Sequence, residues 1–507
     1  MSALRPNIMV VLLLSAWCAV SVAKALPEYV VRESSAEHLK MDAPVLPDLS
    51  PYTHAALLAK RVRKEPGQVL IRRLVDLDAF DEFVGGDGRL AIWAAKQQRN
   101  PVAIVLDGGY FTPQSMLEQL PPEQFEQLSA GVYIARLPIL VSQSATLHLD
   151  AATSALRLSL QGGAFLVNEG RLFITDSAVE SWDELQQRPV PYLDKSQFRP
   201  FITAWAGSQV YFSRSRFSSL GYGASKSYGI TLSQFSASLA GKLHRRAPTG
   251  WILESTFEDL LYGFYCYEAD DVVIVGNVYR ENIVYGIDPH DRSHRLIIAR
   301  NTAYNTRQRH GIIVSREVND SWIFENESYD NKLSGIMLDR QSSNNIVANN
   351  SVHGNGSDGI TVYESPNNLL YANESIGNSA HGYHIRNSVG VKLYQNRAIA
   401  NGYSGVYGHA KQLTDGDRDL ELDPYSTEVS LIVVGGELIN NQGGPMTIDQ
   451  PLSVELFGVG MMAPLDSNGL QMQGVLGENL HQVLDLMIRQ RKAVIIEPGT
   501  RDQPRQT

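Results

Sequence analysis

HGIIVSREVNDSWIFENESYDNKLSGIMLDR, residues 310–340, decides the fold, because its last seven residues repeat the pattern of its first seven. Aligned on the glycine, the same phrase recurs as YGFYCYE (262–268), YGIDPHD (285–291), DGITVYE (358–364), HGYHIRN (381–387) and SGVYGHA (404–410). The glycines Gly263, Gly286, Gly311, Gly335, Gly359, Gly382 and Gly405 stand 23, 25, 24, 24, 23 and 23 residues apart. Two asparagine registers run in phase with them. One is Asn277, Asn301, Asn326, Asn350, Asn373 and Asn396, and the other, in the turn, is Asn282, Asn305, Asn331, Asn355, Asn378 and Asn401. A fixed period of this size marks a solenoid.

Each unit holds short β-branched runs punctuated by Gly and Asn, which supply turn conformations, and lacks the long 3.6-period faces of helical repeats. It also lacks the fixed leucine frame of leucine-rich repeats. The expected fold is all-β: a right-handed single-stranded parallel β-helix of the carbohydrate-binding and sugar-hydrolase type, with stacked asparagines exchanging side-chain hydrogen bonds. The N-E-S and N-D-S triplets, which look like glycosylation sites, are better explained by this repeat. The solenoid is placed at residues 126–410, after an N-terminal α/β cap at 26–125 that contains HAALLAKRVRK and GRLAIWAAKQQ. The remainder, 411–507, reads as a loop or lid (DGDRDLELD) followed by a helical cap (ENLHQVLDLMIRQRK) over the open strand edge.

Residues 1–25 read as a secretory signal, with Arg5, an apolar Ile8–Val22 too short for a comfortable span, and Ala23-Lys24-Ala25 at the cleavage site. No second apolar segment follows, so no membrane span is expected after cleavage. With Cys18 removed only Cys266 remains, which excludes an internal disulfide and suits a periplasm. The net charge of −10 disfavours nucleic acid as a partner.

Alternation along the strand after each glycine sorts the side chains. Phe264, Ile287, Ile312, Ile336, Ile360, Tyr383 and Val406, with Cys266, Pro289, Val314, Leu338, Val362, Ile385 and Gly408, should point inward. Asp288, Thr361, His384 and Tyr407 should point outward. So should Tyr267, His290, Ser315, Asp339, Tyr363, Arg386 and His409, with Glu268, Asp291, Arg316, Arg340 and Glu364 at the bend. The ionisable cluster YGIDPHDRSH (285–294) thereby joins a face several coils long, suited to an extended ligand. A metal pair of His290 and His294 lacks a third ligand at typical spacing, so no metal is expected. Five arginines and no acid between Arg292 and Arg309 point instead to an anionic polymer. For a sugar carboxylate, Arg316 could neutralise the acid group while His290 removes the adjacent proton, with Asp288 or Asp291 fixing its tautomer. Returning the proton to the opposite face gives epimerisation, and expelling the glycosidic substituent gives a lyase. These residues alone leave that choice open, along with a non-catalytic polysaccharide-binding scaffold.

The signal peptide, the repeats and DPHDRSH (288–294) resemble the periplasmic mannuronan C5-epimerases of alginate-producing bacteria across essentially the whole chain. Tyr285, Asp288, Pro289, His290 and Asp291 match that family's signature, and Arg316 matches its carboxylate-neutralising arginine. The resemblance implies conversion of D-mannuronate to L-guluronate within the alginate polymer during export, alongside other proteins of a periplasmic export complex. It also implies His290 as base and water as acid. Tyr267, Asp339, Arg340, Tyr363, His384, Arg386 and His409 would then bind the polymer. No calcium-binding nonapeptide run occurs, so no cofactor is expected.

Overall fold

The computed structural model describes residues 28–62, 65–84, 101–413, 418–421 and 423–499. The signal segment and GRLAIWAAKQQ lie outside them. The described residues wind into a parallel β-helix whose three sheets each hold fifteen strands. One coil runs through Ile312–Ser315, Trp322–Phe324 and Glu327–Tyr329 before Ile336–Asp339 opens the next. Pairing is in register: Ile312 lies on Ile336, Trp322 on Ile346, and Glu327 on Ser351.

Both inward columns are buried as alternation requires; Ile312, Val314, Ile336, Leu338, Ile360 and Val362 share one continuous core. Tyr383 enters that core because its hydroxyl donates to the Asn373 carbonyl at 2.7 Å, which satisfies its one polar group. The free thiol of Cys266 is buried there too.

Side-chain ladders hold the turns. Each Asn amide of the first register donates to the side-chain oxygen of the next, from Asn277 through Asn301, Asn326, Asn350 and Asn373 to Asn396, at 2.9–3.0 Å. The second ladder runs Asn331, Asn355, Asn378, Asn401, Asn441. Here the sequence register slips at one rung. Asn305 turns out to Glu281, and it is Thr306 whose backbone N–H meets the Asn331 side chain at 3.1 Å. The repeat glycines serve these ladders by their size: a Cβ on Gly311 would lie 2.2 Å from Ser328 Oγ and 2.6 Å from Asn331 Nδ2. Left-handed turns are instead taken by non-glycine residues just past each face strand, among them Asp291 (φ 33°), Arg316 (φ 60°), Arg340 (φ 50°) and Glu364 (φ 52°).

Coils extend past both expected boundaries. Val102–Asp107 already pairs in parallel with Ile139–Val141, and coils continue after residue 410 as far as Gln473–Gly474. The first half of the presumed N-terminal cap does something else. Tyr29–Ser34 pairs antiparallel with Ala493–Pro498, which itself pairs with Ser453–Phe457 at the carboxyl-terminal end. From there the chain runs back along one sheet. Leu39 packs on Tyr394 and Val434, and Leu49 and Leu57 share a cluster with Phe173, Tyr211 and Leu253. At the amino-terminal end Gln68–Arg73 lies antiparallel on Val102–Asp107, Phe125–Ser129 lies antiparallel on Val132–Ala135, and Met116 and Leu120 enter the core. At the other end the expected helix is present, and Val475, Leu476, Val483 and Met487 close the core.

Removing one rung should be costly. Asn350 accepts from the Asn326 backbone and amide and donates to the Ile323 carbonyl and Asn373. Asn350→Ala should therefore lower stability by about 2–4 kcal/mol by stranding buried partners, read as a shift of the urea midpoint.

Candidate active site

Tyr285–His290 lies in the glycine-led sheet between Tyr262–Tyr267 and Ile312–Ser315. The bend after it puts Asp291 in the left-handed region, beside the imidazole of the preceding residue. His290 Nδ1 bonds Asp291 Oδ2. On the next coil the same bend presents Arg316, whose guanidinium lies 3.8 Å from the other oxygen of Asp291. One carboxylate thus touches both groups. Burial would raise the Asp291 carboxyl, but His290, Arg316 and Arg292 hold it below the usual range. His290 and Arg316 stay accessible, with side chains 23% and 46% exposed.

Asp288 departs from its expected place in the open. It lies on the outer side of the strand but is only 1% exposed, covered on its own face, and its Oδ1 has no hydrogen-bond partner. Burial pushes its carboxyl up to about 7, against the pull of His290. Asp291, not Asp288, therefore fixes the His290 tautomer. Tyr285 is buried with Ile313 and Met337 in a small apolar patch on this face, and its hydroxyl accepts from Arg309 at 3.0 Å. Burial pushes the phenol up to about 12, so it stays protonated. Tyr267, one coil before His290 and in register with it, forms the other flank.

The expected binding residues fall into two further groups. In the first, Arg386 lies over the Tyr363 ring at 3.7 Å and pairs with Glu364 at 2.9 Å. Arg340 pairs with Asp423 at 3.2 Å and lies 3.7 Å from Asp339. The loop after the seventh glycine reaches over this group. Arg418 pairs with Glu364 and with Asp423, so Arg340 and Arg386 are tied to protein carboxylates. In the second group, His384 Nδ1 faces Asp358 Oδ2 and the Tyr363 hydroxyl, both at 2.9 Å, and its Nε2 faces His409 Nε2 at 3.1 Å. Burial holds His381 and His409 down to about 4. Asp358, His381 and His384 place one potential ligand atom each within 4.8 Å of one another, whereas His294 lies apart in the bend, bridging Asp270 and Asn319.

The basic run between Arg292 and Arg309 is not a free positive patch. Arg292, Arg295, Arg300 and Arg307 pair with Glu268, Asp271, Glu325 and Glu281 on neighbouring coils; Arg292 also reaches the Tyr267 hydroxyl at 3.1 Å, and Arg309 turns to Tyr285. Sequence reasoning counted Arg309 in the basic run without placing it beside Tyr285, and missed Tyr265, whose ring lies 5.7 Å from that of His290, and Lys226, whose ammonium sits 3.2 Å from the centre of the Tyr267 ring. Lys226 comes from an irregular early coil, where the glycine alignment gives no frame.

Residues 290–415 match the family model "Right handed beta helix region". The chain is 54% identical over 475 residues to a mannuronan C5-epimerase of Pseudomonas aeruginosa, covering 94% of this chain and 88% of that one. It is 49% identical over 483 residues to one from Pseudomonas putida, covering 95% and 93%. The crystal structure of the periplasmic alginate epimerase AlgG superposes with a TM-score of 0.81 at 50% identity, covering 83% of this chain and all of that one.

Asp288 makes stability depend on pH. Its folded pKa is raised, so the stability it contributes is full below the ordinary carboxylate range and is lost as pH rises through about 7. Wild type should lose roughly 3 kcal/mol between about pH 4 and pH 8 that Asp288→Asn does not lose, measured by urea unfolding across that range.

Proposed function

The chain belongs to the mannuronan C5-epimerases, and on that premise we propose how its face inverts a sugar centre. It is an isomerase acting on polymannuronate in the periplasm. Among the described residues no helix is long and apolar enough to cross a membrane. The observation that carries the mechanism is the carboxylate of Asp291 held between His290 and Arg316. With Nδ1 committed to Asp291, His290 offers Nε2 to the face as a base. It takes the C5 proton of a D-mannuronate residue, and the electron pair spreads onto that sugar's carboxylate. Arg316, one coil on, holds the carboxylate and stabilises the charge where it accumulates. Asp291 then stabilises the imidazolium that forms.

Asp288 supports this step because burial holds its carboxyl up to about 7, so that near neutrality it carries only part of a negative charge and repels the incoming uronate less than a fully ionised carboxylate would. Tyr285, kept protonated and hydrogen-bonded to Arg309, offers a neutral polar surface beside it. Water returns a proton to the opposite ring face, giving L-guluronate without breaking the chain. The reaction runs on polymer during export, alongside proteins of an export complex. The sequence carries no nonapeptide calcium repeat, and the proposed steps use no metal.

Proton NMR of polymannuronate after incubation should show guluronate signals with wild type and a loss of at least about a thousandfold in rate with His290→Ala. Chain cleavage with an unsaturated ultraviolet chromophore would indicate a lyase instead. Arg316→Ala should lower kcat by about a hundredfold or more while KM changes little, because its charge matters most in the transition state; a loss confined to KM would refute that role. Activity should survive EDTA.

A further inference from the structure

Lys226 is 9% exposed, and among the described residues no carboxylate lies within ion-pair distance of its ammonium. A buried cation without an anion is costly, and proteins seldom keep one without a use. Its immediate partners are aromatic: Nζ stands 3.2 Å from the centroid of Tyr267 and 5.6 Å from that of Tyr265. The backbone at Lys226 is in the left-handed region (φ 61°), as at many other turns of this solenoid. The loop is fixed there by its carbonyl, which accepts from Thr203 Oγ1 at 2.7 Å.

The two rings place the ammonium relative to the reaction. Tyr267 is the register partner of His290 on the adjacent coil, and the Tyr265 ring lies 5.7 Å from the His290 ring. Arg316 flanks His290 on the carboxyl-terminal side, and Lys226 flanks it on the amino-terminal side. Arg292, the other cation on that flank, is taken by Glu268 at 2.6 Å. We propose that Lys226, seated on Tyr267 and Tyr265, is a carboxylate-binding subsite that grips the uronate next to the one undergoing inversion. A polymer carrying one carboxylate per sugar would then meet one cation on each side of the base. The ligand class rests on the epimerase reading; the unpaired buried ammonium does not.

The charged groups facing Lys226 are Glu82, Glu268, Asp291 and Arg292, with burial the largest influence, and together they leave its ammonium at about 8. As pH rises through that value the cation is lost, and with it the grip on an anion. This gives a signature that a merely structural lysine would not show.

The test uses defined mannuronate oligomers and full-length protein in a His290→Ala background, so that binding is read without turnover. Lys226→Met keeps the apolar stem, and its folding is checked by thermal melting. It should bind oligomers about ten- to a hundredfold more weakly. Lys226→Arg should retain affinity. Wild-type Lys226 should lose affinity between about pH 7 and pH 9, whereas Lys226→Arg should not, since guanidinium stays charged. Equal affinity of the Met variant and its parent, or the same pH profile with arginine as with lysine, would overturn the inference. Conversion of polymannuronate by the unmutated enzyme, followed in parallel, decides the underlying reading separately.

Discussion

One asparagine side chain per turn, bonded to the asparagine of the next coil, is the interaction on which the rest of this molecule depends. A parallel solenoid must bury the backbone of its turns, where no ladder of strand hydrogen bonds is available. From Asn277 to Asn396 the asparagine supplies a donor and an acceptor in the same place on successive coils: the Asn350 oxygen takes the N–H of Asn326 on the coil before, and its amide takes the Ile323 carbonyl and Asn373. The repeat glycine follows from this, because its missing Cβ is the space the ladder occupies. Coil length can vary around it, because the ladder is kept across intervals of 23 and 25 residues and across the 40 residues from Asn401 to Asn441. Where the chain does deviate, at Asn305, a threonine takes the rung and the asparagine is pushed to the surface.

Regular stacking of that kind turns sequence period into a surface of known spacing. Residues one repeat apart lie about 4.8 Å apart, so the bends that follow successive face strands bring Arg316 to Asp291, beside His290. Both bends are left-handed, and they leave Asp291 against His290 and Arg316 against Asp291 on the same face. Elsewhere on the face the same geometry is used for closure. Arg340 and Arg386 are held by Asp423 and Glu364, and Arg418 ties the overlying loop to both acids. Around His290 the guanidinium of Arg316 stays 46% exposed and the imidazole 23% exposed.

Solenoids are exposed at their ends and along their sides, and this chain protects both. Helical residues Val475, Leu476 and Val483 plug one end, and at the other Met116 and Leu120 enter the core while Gln68–Arg73 pairs with the edge strand Val102–Asp107. The segment from Tyr29 onward ties the two together, pairing at the carboxyl-terminal end and then lying along one sheet to reach the first coil. Such a connection makes the first residues of the described chain dependent on the last ones, which joins coils that otherwise touch only their neighbours.

Period and alternation alone were enough to read the β-helix, its inward columns from Phe264 to Val406, and the outward column that carries His290. These are local properties: a residue's side of a strand follows from counting by two, and its coil from counting by about two dozen. Counting could not tell whether an outward residue stays in water, and so Asp288 emerged buried, with its carboxyl pushed up to about 7, while Asp291 took the imidazole. Nor could it show that four arginines of a basic run are neutralised by acids a full repeat away, or that the first strand crosses to the last coil. Lys226 lies outside the phase of the repeat and reaches the site only through Tyr265 and Tyr267. Charge, burial and partnership depend on distances between residues remote in the chain, and those are fixed only when the coils close on one another.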